Sequence, residues 1–299
     1  MDGLRRLALQ LSFSAFLLSS CGTKDLPPPA GSLTAADPEA AALMVKAQSA
    51  ENGGNLKGAI KLYDKVATQY PFSAEGPEAR FRQGTLLEQR RELLDSFDAY
   101  QQFIDRYQGS HLYMQALSNQ AVVAHAAADG VIKNSFLGIK SRLDNKKTVK
   151  MLTQVRENAP QAPSAPKAQF AIGQLWESRR NRAEAIAAYQ VVVDDYPKNS
   201  LAPEAQYRIG SILLGQTSRG NQDQANLDRA RQTFDDLIQS YPNSPRATDA
   251  KARIKEIGGR DIQRNYDIAE FYYKKGQTTS AAFYYEEVLR KANSGDLHQ

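Results

Sequence analysis

Cys21 is the single thiol in a chain of 299 residues. One cysteine closes no internal disulfide and completes no zinc cluster, so whatever chemistry it does, it does alone. His111, His125 and His298 lack metal-ligand spacing, and no His-Glu-x-x-His occurs. Neither G-x-x-x-x-G-K-[ST] nor G-x-S-x-G is present, so the phosphate-cradling loop and the nucleophile elbow are both missing. These residues predict a protein that is not an enzyme and that holds no metal or cofactor. Its one reactive side chain is left to serve attachment.

What precedes Cys21 fits that role. Arg5 and Arg6 form a charged start, and Leu7–Leu18 is an apolar stretch too short to span a bilayer but right for the core of a signal peptide. Leu18-Ser19-Ser20-Cys21 then resembles a bacterial lipobox. There the cysteine thiol accepts a diacylglyceryl group and a peptidase cuts just before it. The expected cofactor-like group is thus a covalent lipid on Cys21. Each buried acyl methylene contributes about 0.8 kcal/mol, so two or three chains anchor a protein durably. Gly22 follows, rather than the aspartate that retains many such proteins in the inner membrane, which points to the outer one. Residues 1–20 are read as the signal and 21–37, with Pro27-Pro28-Pro29, as a tether.

The rest of the chain repeats itself. Tyr70-Pro71, Tyr196-Pro197 and Tyr241-Pro242 are copies, with Tyr107-Gln108 and Ala159-Pro160 as weaker ones. Seven residues before each stands a bulky side chain: Tyr63, Tyr100, Leu152, Tyr189 and Phe234. Four residues earlier stands a small one: Ala59, Ser96, Thr148, Ala185 and Ala230. An i, i+4 pair shares one face of a helix, and the proline ends it. Thirteen residues after Pro71, Pro160 and Pro197 come Gly84, Gly173 and Gly210, each three residues after an aromatic. Glycine inside a helix costs about 1 kcal/mol relative to alanine, so its recurrence predicts close approach of a neighbouring helix.

This pattern resembles the tetratricopeptide repeat, with steps of 37 residues from Tyr63 to Tyr100 and from Leu152 to Tyr189. The expected fold is all-α: a TPR-like solenoid of about six helix pairs with a long C-terminal helix starting near Pro245. The chain divides into N-terminal repeats (38–128), middle repeats with insertions (129–226) and C-terminal repeats (227–299). The insertions fall around Gly130–Asn145 and Gln216–Asn226. Gly53-Gly54 reads as a turn and Gly258-Gly259 as a helix interruption. Lys133, Lys140, Arg142, Lys146, Lys147 and Lys150 form a basic cluster, either a solvated insert or a contact for anionic lipid or an acidic partner. Net charge is +5, of which the signal carries +1. The remainder is too mild to argue for nucleic acid.

The C-terminal third narrows the choice of repeat protein. Ser240-Tyr241-Pro242-Asn243-Ser244, then Thr248-Asp249-Ala250, lead to Tyr266-Asp267-Ile268-Ala269-Glu270-Phe271-Tyr272-Tyr273 and Lys274-Lys275-Gly276. This run resembles the BamD family, lipoproteins of the β-barrel assembly machinery. The first repeat, with Asn55, Ala59-Ile60 and Tyr70-Pro71-Phe72, is similar too. The resemblance covers about Ala40–Ala128 and Asp228–Arg290, with Thr148–Gly210 reading as an additional repeat pair.

The resemblance implies a lipid-anchored scaffold on the periplasmic face of the outer membrane, built into the assembly complex with other lipoproteins. Its C-terminal repeats are expected to bind the POTRA domains of the barrel-forming protein through Tyr266, Phe271, Tyr273, Lys274 and Lys275. Its N-terminal repeats are expected to receive unfolded outer-membrane proteins through Tyr63, Tyr70 and Phe72. The extra repeat pair keeps open a second reading, another TPR lipoprotein that coordinates envelope or peptidoglycan processes.

Overall fold

Each small-and-bulky pair does lie on a helix that packs against the one before it. The computed structural model describes residues 37–130, 133–134, 140–141, 143–216 and 223–293. Among the described residues twelve α-helices follow one another as six antiparallel pairs. The pairs are α1 (Pro38–Asn52) with α2 (Leu56–Gln69), α3 (Gly76–Gln89) with α4 (Leu93–Arg106), and α5 (Tyr113–Ala128) with α6 (Asn145–Asn158). Next come α7 (Ser164–Ser178) with α8 (Arg182–Asp195), α9 (Leu201–Leu214) with α10 (Asp223–Ser240), and α11 (Pro245–Lys274) with α12 (Thr278–Asn293). The long helix expected near Pro245 is α11, of 30 residues, opened by Ser244 accepting from the Arg246 amide. The first insertion separates α5 from α6 and holds an antiparallel ladder, β1 (Lys133–Asn134) with β2 (Lys140–Ser141), which the all-α reading did not foresee.

The turns inside four of the pairs follow one rule. Gly54 in the first pair and Gly276 in the sixth take left-handed φ values of +77° and +72°. In the second and fourth pairs the equivalent residues are Arg91 and Arg180, both at φ +58°, where a Cβ makes the conformation costly.

The glycine expectation holds at three positions. A Cβ on Gly84 would lie 2.8 Å from Tyr100, one on Gly173 2.5 Å from Tyr189, and one on Gly210 2.6 Å from Phe234. The bulky residue of each second helix therefore presses its ring onto the bare backbone of the first. Tyr63, Tyr100, Leu152, Tyr189 and Phe234 are all buried and anchor cores that run from one pair into the next. No single pair buries this face alone, so stability comes from stacking.

The tyrosines add a polar tie between pairs. Tyr63 donates to Glu51 at 2.7 Å, Tyr100 to Glu88 at 3.1 Å and Tyr189 to Glu177 at 2.6 Å, each carboxylate lying twelve residues earlier. The next pair answers from 31 residues after the carboxylate: Arg82 pairs with Glu51, and Arg208 with Glu177 at 3.3 Å. In the second pair Asn119 takes that place and donates to the Tyr100 hydroxyl at 3.1 Å. Burial, reinforced by Glu51, pushes the Tyr63 hydroxyl up to about 12. Burial also pushes Tyr100 up to about 12. A partly buried amide cluster, Gln101–Gln120–Asn158, joins α4, α5 and α6, with bonds of 2.6 Å from Gln120 to Gln101 and 2.7 Å from Asn158 to both.

Candidate partner-binding surface

The most exposed aromatic surface is the last helix pair. Along α11 the residues Asp261, Asn265 and Ala269 point inward, at i, i+4, i+8. That leaves the five residues predicted to bind a partner on the outside. Tyr266 is 44 %, Phe271 56 % and Tyr273 63 % exposed, where tyrosines and phenylalanines of earlier pairs are buried or half-buried. Lys274 and Lys275 are exposed beside them.

The structure splits these five between two flanks. Tyr266 and Tyr273, seven residues apart, share one stripe of the helix. Phe271 and Tyr273 are separated by about 200° around the helix axis and so face different sides. On the first flank the Tyr266 ring meets the Tyr285 ring edge-on at 5.9 Å, and Tyr285 donates to Glu270 at 2.5 Å. That carboxylate holds the Tyr285 hydroxyl up at about 12, and Lys274 lies 3.6 Å from its other oxygen. On the second flank Phe271, with the Lys275 ammonium 5.9 Å above its ring, begins an aromatic series. Phe271 meets Tyr272 at 5.6 Å, Tyr272 stacks on Tyr284 at 5.7 Å, and Tyr284 meets Phe283 at 5.2 Å. Sequence reasoning missed Phe283 and Leu289, which are 57 % and 62 % exposed on α12. The signal was there, because Ala281 and Tyr285 repeat the small-and-bulky spacing and so define which face of α12 turns outward.

The N-terminal candidates fare differently. Tyr63 is 1 % exposed, so its assignment to client contact is corrected: its ring is core and its hydroxyl is held by Glu51. Tyr70 is half-buried and donates to Glu39 at 2.6 Å. Phe72, also half-buried, lies under the Arg106 guanidinium at 5.9 Å. Nearby, Arg80, Gln102, Asp105, Arg106 and Tyr107 line a cavity of about 190 Å³. These residues sit at the opposite end of the array from α11 and α12. Cys21 and the tether up to residue 36 lie outside the described residues, as does Arg142 of the basic cluster. Lys146, Lys147 and Lys150 of that cluster are exposed on α6. Gly53-Gly54 does form a turn, whereas α11 runs unbroken through Gly258-Gly259, correcting the expected interruption.

Residues 139–295 match the YfiO family, described as outer membrane lipoprotein. The chain belongs to that family. The match contains both α11 and α12 with their exposed aromatics. It also contains Thr148–Gly210, so the repeat pair read as an addition to the family pattern falls within the family segment. Residues 30–74 match a tetratricopeptide repeat family. Outer membrane protein assembly factor BamD of Caulobacter vibrioides is 29% identical over 109 residues, a stretch that is 36% of either chain. The alignment therefore spans about a third of that relative's length. Among solved structures, a tetratricopeptide repeat protein from Parabacteroides merdae is 12% identical with a TM-score of 0.34, covering 87% of this chain and 96% of its own. YrrB, a TPR protein, is 14% identical with a TM-score of 0.34, covering 70% and 90%.

Among the described residues no helix is long and apolar enough to cross a membrane, and no cluster of three or more His, Cys, Asp or Glu could hold a metal ion.

Proposed function

We propose that this chain is a scaffold of the outer-membrane β-barrel assembly machinery, anchored to the periplasmic face by lipid on Cys21. In this reading the terminal pair docks a POTRA-containing barrel protein and other assembly lipoproteins, with Tyr266, Phe271, Tyr273, Lys274 and Lys275 at the contact and Phe283 and Leu289 beside them. Tyr70, Phe72 and Arg106, at the other end, receive the aromatic ends of unfolded barrel clients. No nucleic acid, metal or soluble cofactor takes part.

The observation that carries the reading is that large apolar side chains remain exposed on the regular helices of the family segment. Isolated exposed apolar residues are ordinary, but a cluster rimmed by charge is characteristic of protein interfaces, where aromatic anchors supply most of the binding energy. Kinship to a barrel-assembly factor supports the choice of partner. Depleting the protein in its own host tests the reading. Outer-membrane barrel proteins should fall while inner-membrane proteins persist; unchanged barrel levels after full depletion would contradict it.

A further inference from the structure

Glycines recur in the first helices of the pairs, but Gly258 and Gly259 of α11 differ from the rest. Gly84, Gly173 and Gly210 each bear a ring that a Cβ would strike. At Gly258 and Gly259 nothing lies within 4 Å of where a Cβ would stand, and neither has a left-handed φ. Neither packing nor backbone conformation asks for glycine there, so the pair leaves α11 locally weak.

The weak point coincides with a change in what holds the helix. The apolar core that begins in α7 includes Ala247, Ala250 and Ile257 of α11 and ends there. Beyond Gly259 the next inward positions are polar: Asp261 and Asn265, each 6 % exposed. Asp261 sits among three cations from three helices. Arg231 of α10 is 3.5 Å away, Lys291 of α12 3.7 Å and Arg264 of α11 3.7 Å. All three distances exceed that of a charge-assisted hydrogen bond, and Asp261 Oδ1 accepts none. Attraction of this kind holds a separation loosely and fixes no orientation.

We propose that Gly258-Gly259 is a hinge on which the terminal hairpin, residues 260–293, tilts against α10, with Asp261 and Arg231, the one of its three cations on α10, as an ionic latch. The helix stays continuous while its two halves change direction. Everything exposed and aromatic in the candidate surface lies on the moving side. The hinge thus lets that surface re-aim without disturbing the repeats behind it. It is a property of the chain itself and stands apart from the identity of any partner.

The test is made on the mature chain with Cys21→Ser, spin-labelled at Glu184→Cys on α8 and Ala282→Cys on α12. The wild-type distance distribution should be broad and widen as salt screens the latch. Gly258→Ala with Gly259→Ala should narrow it. The same double substitution should raise amide protection across residues 256–262 roughly thirtyfold, from two glycine penalties. Asp261→Asn should broaden the distribution and remove its salt dependence. A wild-type distribution as narrow as that of the alanine variant, or amides at 256–262 as protected as those at 246–254, overturns the hinge. An unchanged distribution in Asp261→Asn overturns the latch.

Discussion

Gly173→Ala should destabilise the protein although alanine is the better helix former. The added methyl would lie 2.5 Å from both Cδ1 and Cε1 of Tyr189 and 2.9 Å from Cζ. That ring has little room to yield. It is fully buried, its hydroxyl is held at 2.6 Å by Glu177, and Phe170 packs against it at 5.2 Å between centroids. Overpacking of this kind costs about 1–3 kcal/mol, and the pinned ring argues for the upper end. The helix gains about 1 kcal/mol from losing glycine. The net loss is therefore about 2 kcal/mol, against a gain of about 1 kcal/mol for Gly258→Ala, where the methyl meets open space. Urea unfolding of the unlipidated mature chain, followed by helical circular dichroism, measures both. In a Tyr189→Leu background, Gly173→Ala should lose its penalty. A Gly173→Ala variant as stable as the wild type would refute the packing account.

Arg180→Gly should stabilise by about 1 kcal/mol, because φ +58° burdens any residue with a Cβ; thermal denaturation checks it. Raising pH should destabilise the fold, since Tyr63 and Tyr100 keep their protons up to about 12 when folded and lose them near 10 when unfolded. Their contribution is complete below pH ~10 and disappears as pH rises through ~12. Tyr63→Phe with Tyr100→Phe should flatten the alkaline limb of a stability–pH curve. Cys21→Ser should move the protein from the membrane to the soluble fraction with unchanged helix content, read by fractionation. Phe271→Ala with Tyr273→Ala should leave the melting temperature within a degree or so, because surface substitutions rarely exceed about 0.5 kcal/mol, yet weaken capture of envelope partners at least tenfold.

The sequence made some of this legible because repetition turns a weak signal into a strong one. Gly173 alone means little, but Gly84, Gly173 and Gly210 at one offset from a proline predict one shared contact, and the three rings are there. Tyr63 went astray for the same reason that it could be found: the position that recurs is the position that packs, so a recurrent aromatic is core. Phe283 and Leu289 escaped because α12 lacks the Tyr-Pro that marks the end of α2, α8 and α10. In the Gln101–Gln120–Asn158 cluster the 19-residue link from Gln120 to Gln101 repeats that from Gln83 to Asp64 one step earlier, but nothing short of coordinates brings Asn158, 57 positions from Gln101, to it. At Gly258-Gly259 the sequence identified a weak point in α11 but not its form, because helix hydrogen bonding carries across two glycines when both ends are held.

The central claim, a family scaffold that docks its partner through the terminal pair, is tested most directly by affinity purification. A tagged chain drawn from native envelopes in gentle detergent, with mass spectrometry of what accompanies it, is the measurement. The account predicts a dominant POTRA-containing barrel protein, lost when Phe271 and Tyr273 are replaced by alanine. Cell-wall synthases or division proteins in its place, undiminished by that substitution, would contradict it.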